Sequence, residues 1–121
     1  MRANLDQFTV QQTDTIRTAM EKITANKARA VVVLDDRRVV GTVSDGDIRR
    51  AFLREVLSIA PVETIMQLNC VTTTETHPTR LLKLTRQQKV TMLPIINHQN
   101  ELLDVFVAAE PLCDRAVDGV R

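Results

Sequence analysis

The sequence predicts an α+β fold of two tandem β-α-β-β-α repeats (α/β-type units) packed with pseudo-twofold symmetry. Short apolar runs with strand character alternate with segments of helical period along the chain. The order strand, helix, strand, turn, strand, helix start occurs twice. Hydrophobic residues make up 44% of the chain but aromatic ones only 2%, in Phe8, Phe52 and Phe106, so the core is aliphatic. Half of a 121-residue chain is too small to be stable alone. The halves must share a core, and the cleft between them is the natural place for a ligand.

In the first half, residues 8–10 read as a short strand, and Thr13 or Asp14 offers an N-cap. Ile16, Ala19, Met20 and Ile23 recur at i, i+3, i+4 and i+7, the face of an amphipathic helix that Asn26 and Lys27 end. Residues 30–34 are a continuous apolar run, expected to be buried on both sheet faces. A charged turn at 35–38 leads to a strand at 39–43. Ser44, Asp45 and Gly46 form a tight junction into a helix that starts at Asp47, uses Ile48, Ala51, Phe52 and Val56, and runs to about Leu57.

Residues 58–63 break the pattern at Pro61, and 64–68 read as short and either helical or extended. The order then returns. Residues 70–73 are β-rich, and Thr76 or Thr79 starts a helix with Pro78 in its first turn. Leu81, Leu82, Leu84 and Thr85 give that helix a partial apolar face. Residues 90–96 form a strand whose Pro94 suits an edge or end position. A polar turn at 97–100 leads to a strand at 102–109. The expected boundaries are 8–57 for the first repeat, 58–69 for the connection, 70–111 for a degenerate second repeat and 112–121 for a tail or linker root. An offset of 62 puts Val10 on Thr72, Ala30 on Met92 and Asp35 on Asn97. One extra turn residue makes it 63, placing Val40 on Leu103 and Asp47 on Glu110.

Composition narrows the function classes. The net charge of +1, with both signs interspersed, implies no basic face for nucleic acid or membrane. Aromatic platforms for single-stranded nucleic acid are scarce. Apolar runs are too short to span a bilayer, and the polar residues 1–7 do not read as a signal peptide. Cys70 and Cys113 are too few for a metal framework and suit a reduced, cytoplasmic setting. Cys70 reads as a small buried hydrophobe, and Met20, Met66 and Met92 as core fillers. His77 and His98 lack spaced partners for a metal site or triad and read as surface residues. With three glycines there is no P-loop, so no enzyme constellation is expected.

The junction of residues 39–50, V-V-G-T-V-S-D-G-D-I-R-R, concentrates the candidate chemistry. A hydroxyl, carboxylates and free N–H groups at a helix start suit a ribose and a phosphate. The same Ser44 and Asp47 also fit a capping box, with Asp in place of the usual Glu or Gln at N3.

Gly41, Ser44 and Asp47 match G-h-h-[ST]-x-x-D, where h is apolar, and the chain resembles a tandem pair of cystathionine-β-synthase (CBS) domains, a Bateman module, over roughly residues 8–111. S-D-G-D-I-R-R is similar to CBS pairs attached to sugar-phosphate nucleotidyltransferases or arabinose-5-phosphate-type isomerases. L-L-D-V-F-V favours the nucleotidyltransferase group. The resemblance implies a non-catalytic regulatory module that binds an adenine nucleotide (AMP, ADP or ATP) or a related sugar nucleotide, and needs no cofactor. Asp47 would accept from the ribose hydroxyls. Ser44 and the neighbouring Asp45 would lie by the ribose or α-phosphate. The base would lie along Val10, Gln12, Arg29 and Ala30, with Arg49 and Arg50 lending charge to phosphates. In the second repeat Gly41, Ser44 and Asp47 become Asp104, Val107 and Glu110, so one nucleotide site per chain is expected. The implied partners are a second copy, as a homodimer, and a C-terminal nucleotidyltransferase domain. A dimerisation module without nucleotide is the alternative.

Overall fold

The computed structural model describes residues 5–108. Glu110, Cys113 and the expected tail at 112–121 lie outside them. The element order is β1 (Thr9–Gln11), α1 (Ile16–Asn26), β2 (Ala30–Asp35), β3 (Arg38–Ser44), α2 (Asp45–Leu53), α3 (Pro78–Gln88), β4 (Met92–Ile96) and β5 (Leu102–Val107). Single 3-10 turns at Leu5–Phe8 and Val62–Thr64 precede β1 and follow Pro61. The result is the mixed α+β architecture expected from the alternation.

One sheet has the order β1-β2-β3, with β1 parallel and β3 antiparallel to β2. β4 and β5 form a second, antiparallel sheet. β2 explains the link between them. Its Val31 and Val33 point into a cluster with Ile16, Ala19 and Ile23 of α1 and Ile48 and Ala51 of α2. Its Val32 and Leu34 point the other way, into a cluster with Met92 and Val105 of the second sheet. A strand buried on both faces must be apolar at every position, which is why 30–34 shows no alternation. The hairpin turns also interlock: Val39 N–H donates to Asn100 O at 3.0 Å, Asn100 Nδ2 to Val39 O at 2.8 Å, and Leu102 N–H to Arg37 O at 3.0 Å.

The duplication holds in detail. The offset of 62 carries α1 onto α3 at both ends, and Lys27 onto Lys89. Both lysines cap their helices in the left-handed region, at φ 60° and 57°. The β2–β3 register shift at Val33/Leu34 recurs in β4–β5 at Ile95/Ile96, the equivalent positions.

Several local expectations are corrected. The N-cap of α1 is Thr15, whose Oγ1 accepts from Thr18 N–H, because the Asp14 carboxylate is engaged by Gln11 N–H at 2.8 Å. α2 ends at Leu53 rather than near Leu57: Arg54 N–H is shared between Arg50 O and Ala51 O, and Glu55 takes φ 66°. Phe52 is consequently 40% exposed rather than on the buried face. Residues 70–73 form no strand and meet β4 through a single parallel bridge, Thr73 to Ile95. The N-cap of α3 is His77, with Pro78 in the first turn, where its missing N–H costs nothing. β4 starts at Met92. Pro94 sits buried within it, and its carbonyl accepts from Thr73 rather than from β5, so its ring interrupts no β4–β5 bond.

Candidate functional site

Ser44 ends β3 in extended conformation and caps α2. Its Oγ accepts from Asp47 N–H at 3.2 Å, while Asp47 Oδ2 accepts from Ser44 N–H and Oγ–H, each at 2.9 Å. This is the capping box, closed with Asp at N3. Asp47 Oδ1 accepts from Arg50 Nη2 at 2.8 Å and Gln67 Nε2 at 2.9 Å. The carboxylate is 6% exposed and has four donors on two oxygens, the full complement it can take. Burial pushes its pKa up, but the bonds from Gln67, from Ser44 and from Arg50 outweigh it and hold the group below its ordinary 3.8.

Gln67 reaches Asp47 because its backbone is fixed to β3. Gln67 N–H donates to Thr42 O at 2.8 Å, and Thr42 N–H to Gln67 O at 3.2 Å. Gly41 makes this approach possible: a Cβ there would meet Gln67 O at 2.7 Å and Met66 side-chain atoms at 3.1 Å. The three motif residues thus have a joint structural role. Gly41 admits the connection, Ser44 caps α2, and Asp47 holds both.

Beside this network lies a cavity of about 550 Å³ between the repeats, reached by Ser44, Asp45 and Gly46 at the start of α2, by Gln67 and Asn69 of the connection and by Cys70 of the second repeat. Its charged lining is Arg29, Arg49 and Lys89 against Asp45. Arg29 and Ala30 of the first repeat are matched by Thr91 and Met92, their equivalents at offset 62. At the start of α2, Asp45 N–H already donates to Arg29 O at 3.0 Å and Asp47 N–H to Ser44 Oγ, so it is the three cations against one carboxylate that suit a phosphorylated ligand. The surrounding Ala30, Val71, Val90 and Met92 offer apolar contact for a planar base. Burial pushes the half-buried Cys70 thiol up, which keeps it neutral. Cys70 is therefore part of the wall rather than a fully buried core residue.

Of the residues singled out from sequence, Ser44, Asp45, Arg29, Ala30 and Arg49 are brought together in this cavity. Asp47 does not line it, and Arg50 pairs with Asp47 instead of facing it. Val10 and Gln12 are elsewhere. Val10 is level with Val33 and packed in the first core, and Gln12 bonds Leu34 O, at the far end of β2 from Ala30 and Ser44. Three strand residues separate those levels by about 10 Å. Lys89, Thr91, Met92, Gln67 and Asn69 were missed. Thr91 and Met92 are reachable by applying the offset to Arg29 and Ala30; Lys89 corresponds to Lys27, which carries no site signal.

A second cavity, of about 660 Å³, lies between the start of α3 and β5. Pro78, Leu81, Leu103 and Phe106 make its lining mainly apolar, and its one charged lining residue is Asp104. Val107, at the position of Ser44, brings no hydroxyl. Among the described residues no cluster of three metal-ligating side chains occurs, and no helix is long and apolar enough to cross a membrane.

Residues 3–54 match the family model of the CBS domain. Solved CBS-domain structures share the fold. A CBS domain protein from Pyrobaculum aerophilum complexed with AMP superposes with a TM-score of 0.67, at 22% identity over 82% of this chain and 78% of the other. The CBS domains of a transcriptional regulator from Streptococcus pneumoniae give 0.70, at 16% identity over 88% and 87%. A protein from Methanocaldococcus jannaschii, described as a candidate archaeal homologue of g-AMPK, gives 0.67 at 26% identity, over 82% of this chain and 42% of the other. No curated protein matches the sequence.

Proposed function

We infer that this chain is a regulatory module that senses an adenine nucleotide, or a related sugar nucleotide, in the cavity between its repeats. One observation carries the reading: Arg29, Arg49 and Lys89 converge on that cavity at the start of α2, opposed by Asp45. The cations receive the phosphates, and Asp47 receives the ribose hydroxyls in exchange for a donor it now holds. The AMP bound by the Pyrobaculum aerophilum protein supports the ligand class. Ligand draws the repeats together, and the signal is the population shift that follows. The module itself is non-catalytic and cytoplasmic, works as a homodimer, and reports to a linked nucleotidyltransferase domain. This last assignment rests on the resemblance of S-D-G-D-I-R-R and L-L-D-V-F-V.

A second reading, a dimerisation module without nucleotide, is favoured by a different observation. Phe52, Leu53, Leu57 and Ile59 are exposed within one short stretch. A thermal-shift panel of AMP, ADP, ATP and CMP separates the two. The sensor reading expects stabilisation of about 2.7 kcal/mol at 100 times the dissociation constant, reduced to about 1–2 kcal/mol at the same ligand concentration when Arg49 and Lys89 are both replaced by Ala. No shift with any nucleotide leaves the dimerisation module.

A further inference from the structure

The Asp47 carboxylate cannot take a ribose while all four donors stay in place, so one of them must leave. Ser44 N–H and Oγ–H are fixed by the cap of α2. Arg50 is charged, bonds at 2.8 Å and does not line the cavity. Gln67 is neutral, sits on the surface of the cavity and bonds Asp47 Oδ1 at 2.9 Å from there. Of the two donors on Oδ1 it is the one that lines the cavity, and the weaker, because its bond is charge-assisted on one side only.

We propose that Gln67 is a built-in competitor for the Asp47 carboxylate, which a ligand hydroxyl must displace to bind. This rests on the nucleotide-sensing reading above. Gln67 belongs to the connection between the repeats, and its backbone pairs with Thr42 across Gly41. Exchanging its amide for a ligand hydroxyl loosens one of the attachments of that connection to the first repeat. Gln67 is thus a positioning residue: it sets affinity and ties occupancy to the segment joining the halves. No bond is made or broken covalently; one hydrogen-bond donor replaces another.

The test is calorimetric titration of the full chain with AMP and with 2′,3′-dideoxy-AMP, comparing wild type with Gln67→Met, which keeps chain length but removes the donor. Gln67→Ala serves as a second variant, and both retain the backbone pairing. The expected result is AMP affinity raised about threefold to tenfold in both variants, with dideoxy-AMP affinity unchanged. A purely structural role for Gln67 would not separate the two ligands. AMP affinity that is unchanged or lowered, or a gain equal for both ligands, overturns the inference while leaving the nucleotide site standing. Absence of AMP binding in wild type and variants alike overturns both.

Discussion

The two repeats share a frame and differ in what they do with it. α1 and α3 match end for end, their left-handed lysine caps coincide, and the two hairpins shift register at equivalent residues. Their cores do not match. The first repeat buries eleven residues in one cluster, drawing on α2 and on Val62 and Ile65 of the connection. Among the described residues, the second gathers Leu81, Leu93 and Ile95 into its own cluster. The polar motif is equally one-sided, since Gly41 and Ser44 stand where the second repeat has Asp104 and Val107. Helix bounds and strand register follow from apolar periodicity, which tolerates many substitutions. A site depends on a few residues, and changing them leaves the frame intact.

Gly41→Ala attacks this asymmetry most directly. A methyl 2.7 Å from Gln67 O forces the backbone pairing apart, and overpacking of this kind costs about 1–3 kcal/mol. Asp104→Ala, at the equivalent position, is expected to cost less than half as much in urea unfolding. Equal losses would mean that the close approach at Gly41 has no special role in stability. Asp47→Ala removes the capping box and the anchor for Gln67, with an expected loss of about 2 kcal/mol.

The same residue predicts an acid limb. Because the folded carboxyl titrates below its ordinary 3.8, its stabilisation is complete above that value and is lost as pH falls through the lower folded one. Asp47→Asn is expected to flatten the stability profile below about pH 4, measured by urea midpoints across pH; an unchanged slope would place the acid sensitivity elsewhere. The smallest expected effects come from the cavity cations. Arg49→Ala and Lys89→Ala should each weaken AMP binding about twofold to fivefold, since exposed charge pairs contribute about 0.2–1 kcal/mol.

Much of this was legible in the sequence because it depends on pattern. The unbroken apolar run of β2 announced a strand shared by two cores, and the offset of 62 announced the duplication. What escaped depended on contacts distant in sequence. Nothing near Gln67 marks it as the partner of Asp47, twenty residues away. The resemblance places the base along Val10 together with Ala30, yet parallel pairing with β2 sets Val10 level with Val33, away from the end of the sheet where Ala30 meets Ser44. Thr13, Asp14 and Thr15 are all cap-type residues in a row, and what selects Thr15 is the engagement of Asp14 by Gln11 N–H, which the sequence does not display.

The one-sided motif leaves one ligand site per chain, the cavity between the repeats at the start of α2. Calorimetric titration of the wild-type chain with AMP counts the sites, with Leu103→Ala in the second cavity as the contrast to Arg49→Ala. The expected result is one AMP per chain, weakened by Arg49→Ala and indifferent to Leu103→Ala. Two equal sites per chain, or binding that Leu103→Ala disturbs and Arg49→Ala does not, would contradict it.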